Sequence, residues 1–328
     1  NDKLIDKLMK KSNFLISLGI ISAFIMVASS FTFSAFGLQF AHKTMWGGNG
    51  VANGQFKQAN GIAIDSKDNV YVGDFAAYTT RMIQKFTPNG TFISGFGSYG
   101  NGPDLFTNPS GMTSDNKDNI FIADYGNPNF AVKEFTTNGT FIRSFGTLGI
   151  GPGQFINPGG VGTGPQGNIY VTDFGENNNV QKFDPNGNFL ESFGTYGSGN
   201  GQFINPTGTK VDSSGNIYVV DSGNSRIQKF DPNGNFLESF GTYGSGNGQF
   251  INPIDLGIDK SNKLYIADNS NHRVQVLDSN GNYITQFGNT GPIAEQILDP
   301  AGVAINSHGD VYVTDGKQAV VHVYSPIQ

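Results

Sequence analysis

The chain has 328 residues, no cysteine and a formal net charge of −6. The missing cysteine excludes a disulfide scaffold and thiolate chemistry, and the acidic balance opposes general binding of polyanions such as nucleic acids. With 46 glycines but no G-X-Y period, the composition calls for many tight turns rather than a collagen helix.

In chain order, Lys3, Lys7, Lys10 and Lys11 precede a run from Ser12 to Ala41 without a charged residue or histidine. Its centre, Phe14 to Ala28, is strongly apolar and runs into Val27-Ala28-Ser29-Ser30. A basic start, an apolar stretch and small residues after it read as an export signal. The run also reaches the roughly 20 residues that span a bilayer, so an uncleaved anchor is the alternative. Either way residues 1–37 form a segment of their own, and the lysines would stay inside. The remainder, residues 38–328, is then extracytoplasmic, secreted or membrane-anchored.

From residue 38 the periodicity is two, the mark of strands. Trp46 to Phe56 (WGGNGVANGQF) aligns without a gap on Phe193 to Phe203 (FGTYGSGNGQF). Six aspartates follow, Asp74, Asp124, Asp173, Asp221, Asp268 and Asp315, each closing a strand that contains one aromatic. Those aromatics are Tyr71, Phe121, Tyr170, Tyr218, Tyr265 and Tyr312. The spacing contracts from 50 to 47 residues, and such a fixed period signals a repeat architecture. The repeat is sharpest at Val180–Pro206 and Ile227–Pro253, which share 26 of 27 positions. Within it lie three clear strands, 216–220, 226–230 and 236–240, a shorter one at 208–212, and a Pro232-Asn233-Gly234-Asn235 turn that predicts a type I′ hairpin. One repeat is a four-stranded antiparallel meander, a propeller blade. Six aspartates predict six blades.

The sixth blade, from Ala301 on, has only three strands. The alignment of Trp46 with Phe193 assigns the missing one to residues about 38–46, so the N-terminal strand closes the ring and removes open edges. Trp46, Phe96, Phe145, Phe193, Phe240 and Phe287 occupy one position per blade and are expected to pack between blades. The expected fold is therefore all-β, a six-bladed propeller closed by its N-terminal strand.

The run Asp-x-x-Gly-Asn-Ile-Tyr-Val-x-Asp followed by Asn-x-Arg-Ile-Gln-Lys-Phe, clearest at Gly208–Phe230, resembles the NHL repeat family. It returns in degraded form at Asp65–Phe86, Asp115–Phe135, Gly164–Phe183, Asp259–Leu277 and Asn306–Tyr324. The resemblance implies the propeller fold but no activity, since function lives in sites grafted onto folds. It also implies that an Arg at the start of the third strand ties the blade to its Asp. Only Arg226 and Arg273 retain it, so blades 1–3 and 6 should rely more on packing. Amidating and streptogramin-type lyases of this fold resemble the chain in scaffold alone.

No catalytic constellation stands out. His42, His272, His308 and His322 fall at non-equivalent blade positions and suggest no metal site. Gly197–Gly201 leads to Asn205-Pro206 instead of a helix, and Asp184–Asn188 reads as a hairpin turn rather than a calcium loop. No cofactor is expected. Inter-blade loops and the loops after the six aspartates share one end of the ring, the top. There blades 1–3 carry longer loops, and Phe75, Tyr78, Arg81, Tyr125 and Phe130 are candidate contacts, because aromatics and Arg dominate binding hot spots. Lys210 and Asp255 replace small residues in the first strands and could meet across adjacent blades at the channel mouth. Asn89-Gly90-Thr91 and Asn138-Gly139-Thr140 are acceptor sequons at hairpin tips. The expected function is an exported scaffold binding a protein, glycan or small ligand at the top. The alternative is a metal-dependent lyase or lactonase-like hydrolase at the channel.

Overall fold

The computed structural model describes residues 37–75, 77–126 and 130–327. The expected leader therefore lies, but for Gly37, outside the described residues. Among the described residues no helix is long and apolar enough to cross a membrane.

The described residues from Leu38 on build six four-stranded antiparallel blades around one axis. The first five are consecutive meanders, whose innermost strands are Ala59–Ile64, Pro109–Ser114, Pro158–Thr163, Pro206–Val211 and Pro253–Ile258. The sixth contributes Pro300–Ile305, Val311–Asp315 and Val320–Ile327, and its outermost strand is Gln39–Gly47 from the other end of the chain. That strand runs antiparallel to Val320–Ile327, pairing Trp46 with Val321 and Gln39 with Ile327, with a bulge at His42/Thr44. Ring closure by the N-terminal strand is thus observed. A second link joins blades 6 and 1: the Ser307 amide and hydroxyl donate to Asp68 at 2.8 and 2.6 Å. The same arrangement joins blades 1 and 2 through Ser66 and Asp118.

The core has no single centre. Six apolar clusters fill the six interfaces between blades, as expected when each repeat can bury its face only against its neighbours. The recurring outer aromatic takes part at each interface. Trp46 packs 4.4 Å from Phe86, Phe96 lies 4.9 Å from Phe135, and Phe193 lies 4.9 Å from Phe230. Its ring also covers the next blade's hairpin glycine. A Cβ on Gly90 would sit 2.3 Å from Trp46, and one on Gly139 2.7 Å from Phe96.

The hairpin turns differ from the expected type I′. In Asp184–Asn188 the glycine has φ +81°, whereas Asn186 is not left-handed. Asp184 accepts from the Asn186 and Asn188 amides, the Gly187 amide returns to the Asp184 carbonyl, and the next strand pairs with a register shift. This is a type I turn, with Asp first, Pro second and a left-handed glycine carrying the bulge.

Candidate ligand site at the channel mouth

The six aspartates are the pins of the scaffold. Each carboxylate accepts backbone amides from the loop that enters its own blade: Lys57 and Gln58 on Asp74, Thr107 and Asn108 on Asp124, Ile156 and Asn157 on Asp173. Ile204 donates to Asp221, Ile251 to Asp268 and Leu298 to Asp315. In blades 4 and 5 the expected arginine completes the tie. Arg226 Nε lies 2.8 Å from Asp221 and Arg273 Nε 2.7 Å from Asp268, and both guanidinium groups donate to carbonyls of the entering loop. The expectation that blades 1–3 and 6 rely more on packing is qualified in blades 2, 3 and 6, where the aspartate keeps a side-chain tie without the arginine. Lys133 bridges to Asp124 at 2.8 Å, Asn177 bonds Asp173, and Gln318 reaches Asp315 at 3.1 Å. None of these replaces the arginine: Asn177 and Gln318 stand where Asn224 and Asn271 bond Asp221 and Asp268, and Lys133 stands where Gln228 and Gln275 bond the same two aspartates. Burial pushes the Asp124 and Asp173 carboxyls above the usual range against those bonds.

The residue after the aspartate lines the mouth in blades 2 and 3, and its blade 1 equivalent packs against them. In blades 1–3 it is Phe75, Tyr125 and Phe174, each pinned by its amide to the entering loop. Their rings form an arc: Phe75 to Tyr125 is 5.7 Å, and Tyr125 to Phe174 is 5.6 Å edge to face. In blades 4–6 the equivalents are Ser222, Asn269 and Gly316. Two of these lie in short 3-10 turns, Ser222–Asn224 and Asn269–Asn271, that lead into Arg226 and Arg273. Half of the mouth is aromatic and half is small.

Below the arc lies a ring of five glycines, Gly61, Gly111, Gly160, Gly208 and Gly302. A Cβ on any of them would come within 3 Å of the next blade. The sixth position is Asp255, whose carboxylate lies over Gly208 and accepts the Val303 amide at 3.2 Å. Arc and ring enclose an open cavity of about 170 Å³, lined by Tyr125, Phe174, Ser110, Asp255 and glycine backbone. A hole of about 150 Å³ admits a benzene. A deeper channel section of about 220 Å³ contains Lys210.

The candidate residues therefore separate. Phe75, Tyr125 and Asp255 stand at the mouth. Tyr78, exposed at φ +46°, packs edge to face on Tyr99 instead, and Arg81 folds over Gly95 toward the Val51 carbonyl. Phe130 packs against the cluster between blades 2 and 3. Lys210 does not pair with Asp255: its ammonium donates to the carbonyls of Met112 and Val161, at 2.9 and 3.4 Å. Phe174, not among the expected contacts, completes the arc; its signal was its place directly after Asp173. Asn89 and Asn138 are exposed at their hairpin tips.

Two of the four histidines do meet. His42 Nε2 lies 3.3 Å from His322 Nδ1 across the closing strand pair, and His322 Nε2 is 3.8 Å from Asp315. Burial holds His322 well below its usual pKa, at about 4. Among the described residues no three His, Cys, Asp or Glu side chains are grouped to hold a metal ion.

Fold and mouth together define a six-bladed β-propeller with an axial cavity at its top. Within it, NHL repeats occupy residues 155–183, 203–230 and 250–277, so three of the six blades match the NHL repeat. No curated protein matches the sequence. Solved structures share the fold. An auxiliary nutrient binding protein from Bacteroides thetaiotaomicron superposes with TM-score 0.62 at 14% identity, over 83% of this chain and 70% of its own. A gluconolactonase from Xanthomonas campestris gives 0.60 at 14%, over 84% and 88%. A virginiamycin B lyase from Staphylococcus aureus gives 0.56 at 15%, over 88% and 99%.

Proposed function

We propose that this propeller is a binding module that captures a small ligand, or the end of a larger one, at the top mouth of its channel. The observation that carries this reading is the aromatic arc Phe75–Tyr125–Phe174 above a cavity floored by backbone. Half-buried aromatics over a pocket of one ring's size suit an apolar or sugar-like face. Structures of the same fold include a nutrient binding protein as well as a lactonase and a lyase, so fold alone supports either use. The hydrolytic alternative would need metal ligands or an acid–base pair at the mouth, and among the described residues Asp255 is the one acidic side chain lining that cavity.

A thermal-shift screen of small polar and aromatic compounds tests this on the full chain. We expect stabilising compounds whose effect is lost in a Tyr125→Ala/Phe174→Ala double variant. Stabilisation that persists in that variant would move the site elsewhere. Residues 1–37 support export or anchoring, and the sequons at Asn89 and Asn138 support glycosylation after export. The intact mass of natively expressed protein tests both: an unprocessed, bare chain recovered from the cytosol would exclude them.

A further inference from the structure

We propose that the mouth is selective for an organic cation with a small apolar body, such as a quaternary or protonated amine, held between the aromatic arc and the Asp255 carboxylate. This rests on the ligand-binding reading of the same cavity and adds the charge of its occupant.

Four observations converge. First, Asp255 departs from a strict rule. Five of six blades place glycine there because the neighbouring blade comes too close for a side chain. Packing asks for no carboxylate at the sixth. Second, that carboxylate has no salt-bridge partner within 4 Å among the described residues. The obvious counter-ion, Lys210, belongs to the deeper section and spends its ammonium on two carbonyls of blades 2 and 3. Third, burial pushes the Asp255 carboxyl upward, against the distant Lys210 charge and the Val303 and Leu256 amides. An ionised group left in that condition gains from a cation brought into the cavity. Fourth, the same cavity is lined by Tyr125 and Phe174. Aromatic rings attract cations through their quadrupole, most strongly where water is excluded, and they accept the apolar surface of an alkylammonium. A neutral ligand would use the rings but leave the carboxylate uncompensated. An anion would meet Asp255 and, among the described residues, find no basic side chain lining the mouth.

The cavity's size sets the scale. About 170 Å³ accommodates one trimethylammonium or one protonated ring, with any further chain emerging at the open top.

The test compares choline with 3,3-dimethylbutan-1-ol, which replaces the charged nitrogen by carbon at nearly equal shape. Isothermal titration at pH 8 on the full chain reads both affinities. We expect choline to bind at least ten-fold more tightly. Asp255→Asn should remove that preference and leave the alcohol's affinity within two-fold. Phe174→Ala should weaken both. Asp255→Gly, which restores the repeat's own residue, serves as a second variant should the asparagine perturb the ring, with the same expected loss. Equal binding of the two probes to the wild-type chain would overturn the cation proposal while leaving a neutral-ligand site intact. Choline preference surviving in both Asp255 variants would overturn the role of the carboxylate. Failure of choline to bind would overturn the proposal outright, and the wider screen with the Tyr125/Phe174 variant would then decide whether the cavity binds anything.

Discussion

Blades 4 and 5 and blades 1 to 3 are built on one plan and have diverged in opposite ways. A nearly identical 27-residue stretch runs from the outer half of blade 3 into blade 4 and again from the outer half of blade 4 into blade 5, and blades 4 and 5 alone combine it with the Asp–Arg tie and compact turns after the aspartate. The latter lose the arginine, keep in blades 2 and 3 the Lys133 or Asn177 bond to the aspartate, and place aromatics around the mouth. Shape is held by the repeated half, whereas the chemistry of a site gathers in the drifted half. Repeats that only fill space can be copied; a binding surface on a symmetric ring has to break the symmetry somewhere. Asp255 fits this view from the other side, as one residue in a regular blade that breaks a glycine ring.

The sharpest way to break the comparison is at its seam. Deleting residues 1–48 removes the outer strand of blade 6, exposes its edge and strips the indole from Phe86. We expect loss of cooperative folding or aggregation, whereas deleting residues 1–36 should leave Tm unchanged. A chain starting at Gly50 that melts like the longer one would show that closure is dispensable. Trp46→Ala alone should cost about 3 kcal/mol in denaturant titrations, near the lower end for a large aromatic because the indole is partly exposed.

Next in size is the tie itself. Arg273 is almost fully buried on the Asp268 carboxylate, so Arg273→Ala strands a charge and should cost about 3–5 kcal/mol. Lys133→Ala, in the drifted half, strands Asp124 in the same way. A comparable loss there would mean that the Lys133 tie is as strong as the arginine one. A loss under about 1 kcal/mol at Arg273 would remove the distinction from the other side.

The histidine pair gives a pH handle on the closing blade. The buried His322 has its pKa lowered to about 4, whereas an unfolded chain binds that proton near 6.5. Below pH 6.5 the unfolded state therefore takes up more protons, and stability is lost as pH falls towards 4, by up to about 3 kcal/mol. Asp315 opposes this shift and His42 adds to it. The other blades carry Gln84, Lys133, Gln181, Gln228 and Gln275 at this place. His322→Gln should flatten the acid limb of a Tm–pH curve, and an unchanged limb would assign it to other groups.

The smallest expected effect on stability is at the mouth. Phe75→Ala or Phe174→Ala removes a half-buried ring from an edge contact and should cost about 1 kcal/mol while weakening ligand binding. A loss of 3 kcal/mol or more would make the arc a structural layer rather than a binding wall.

The blade count, the strand order, the closing strand and the interfacial aromatics were legible in the sequence. Each follows from a period along the chain, and the hydrogen bonding of a meander is local. Asn-Gly marked the hairpin of each of the first five blades, although which turn type it forms was decided by the left-handed φ of glycine alone. Tyr125 could be named as an exposed aromatic, but not that it would sit between Phe75 and Phe174. Lys210 and Asp255 were visible as exceptions, but their separation was not, because it depends on which way the lysine reaches into the channel. His42 and His322, 280 positions apart, met only because the ring closes. Periodicity fixes what repeats. What converges on the axis or at the seam depends on closure, which brings distant positions together and sets side-chain direction by packing rather than by spacing.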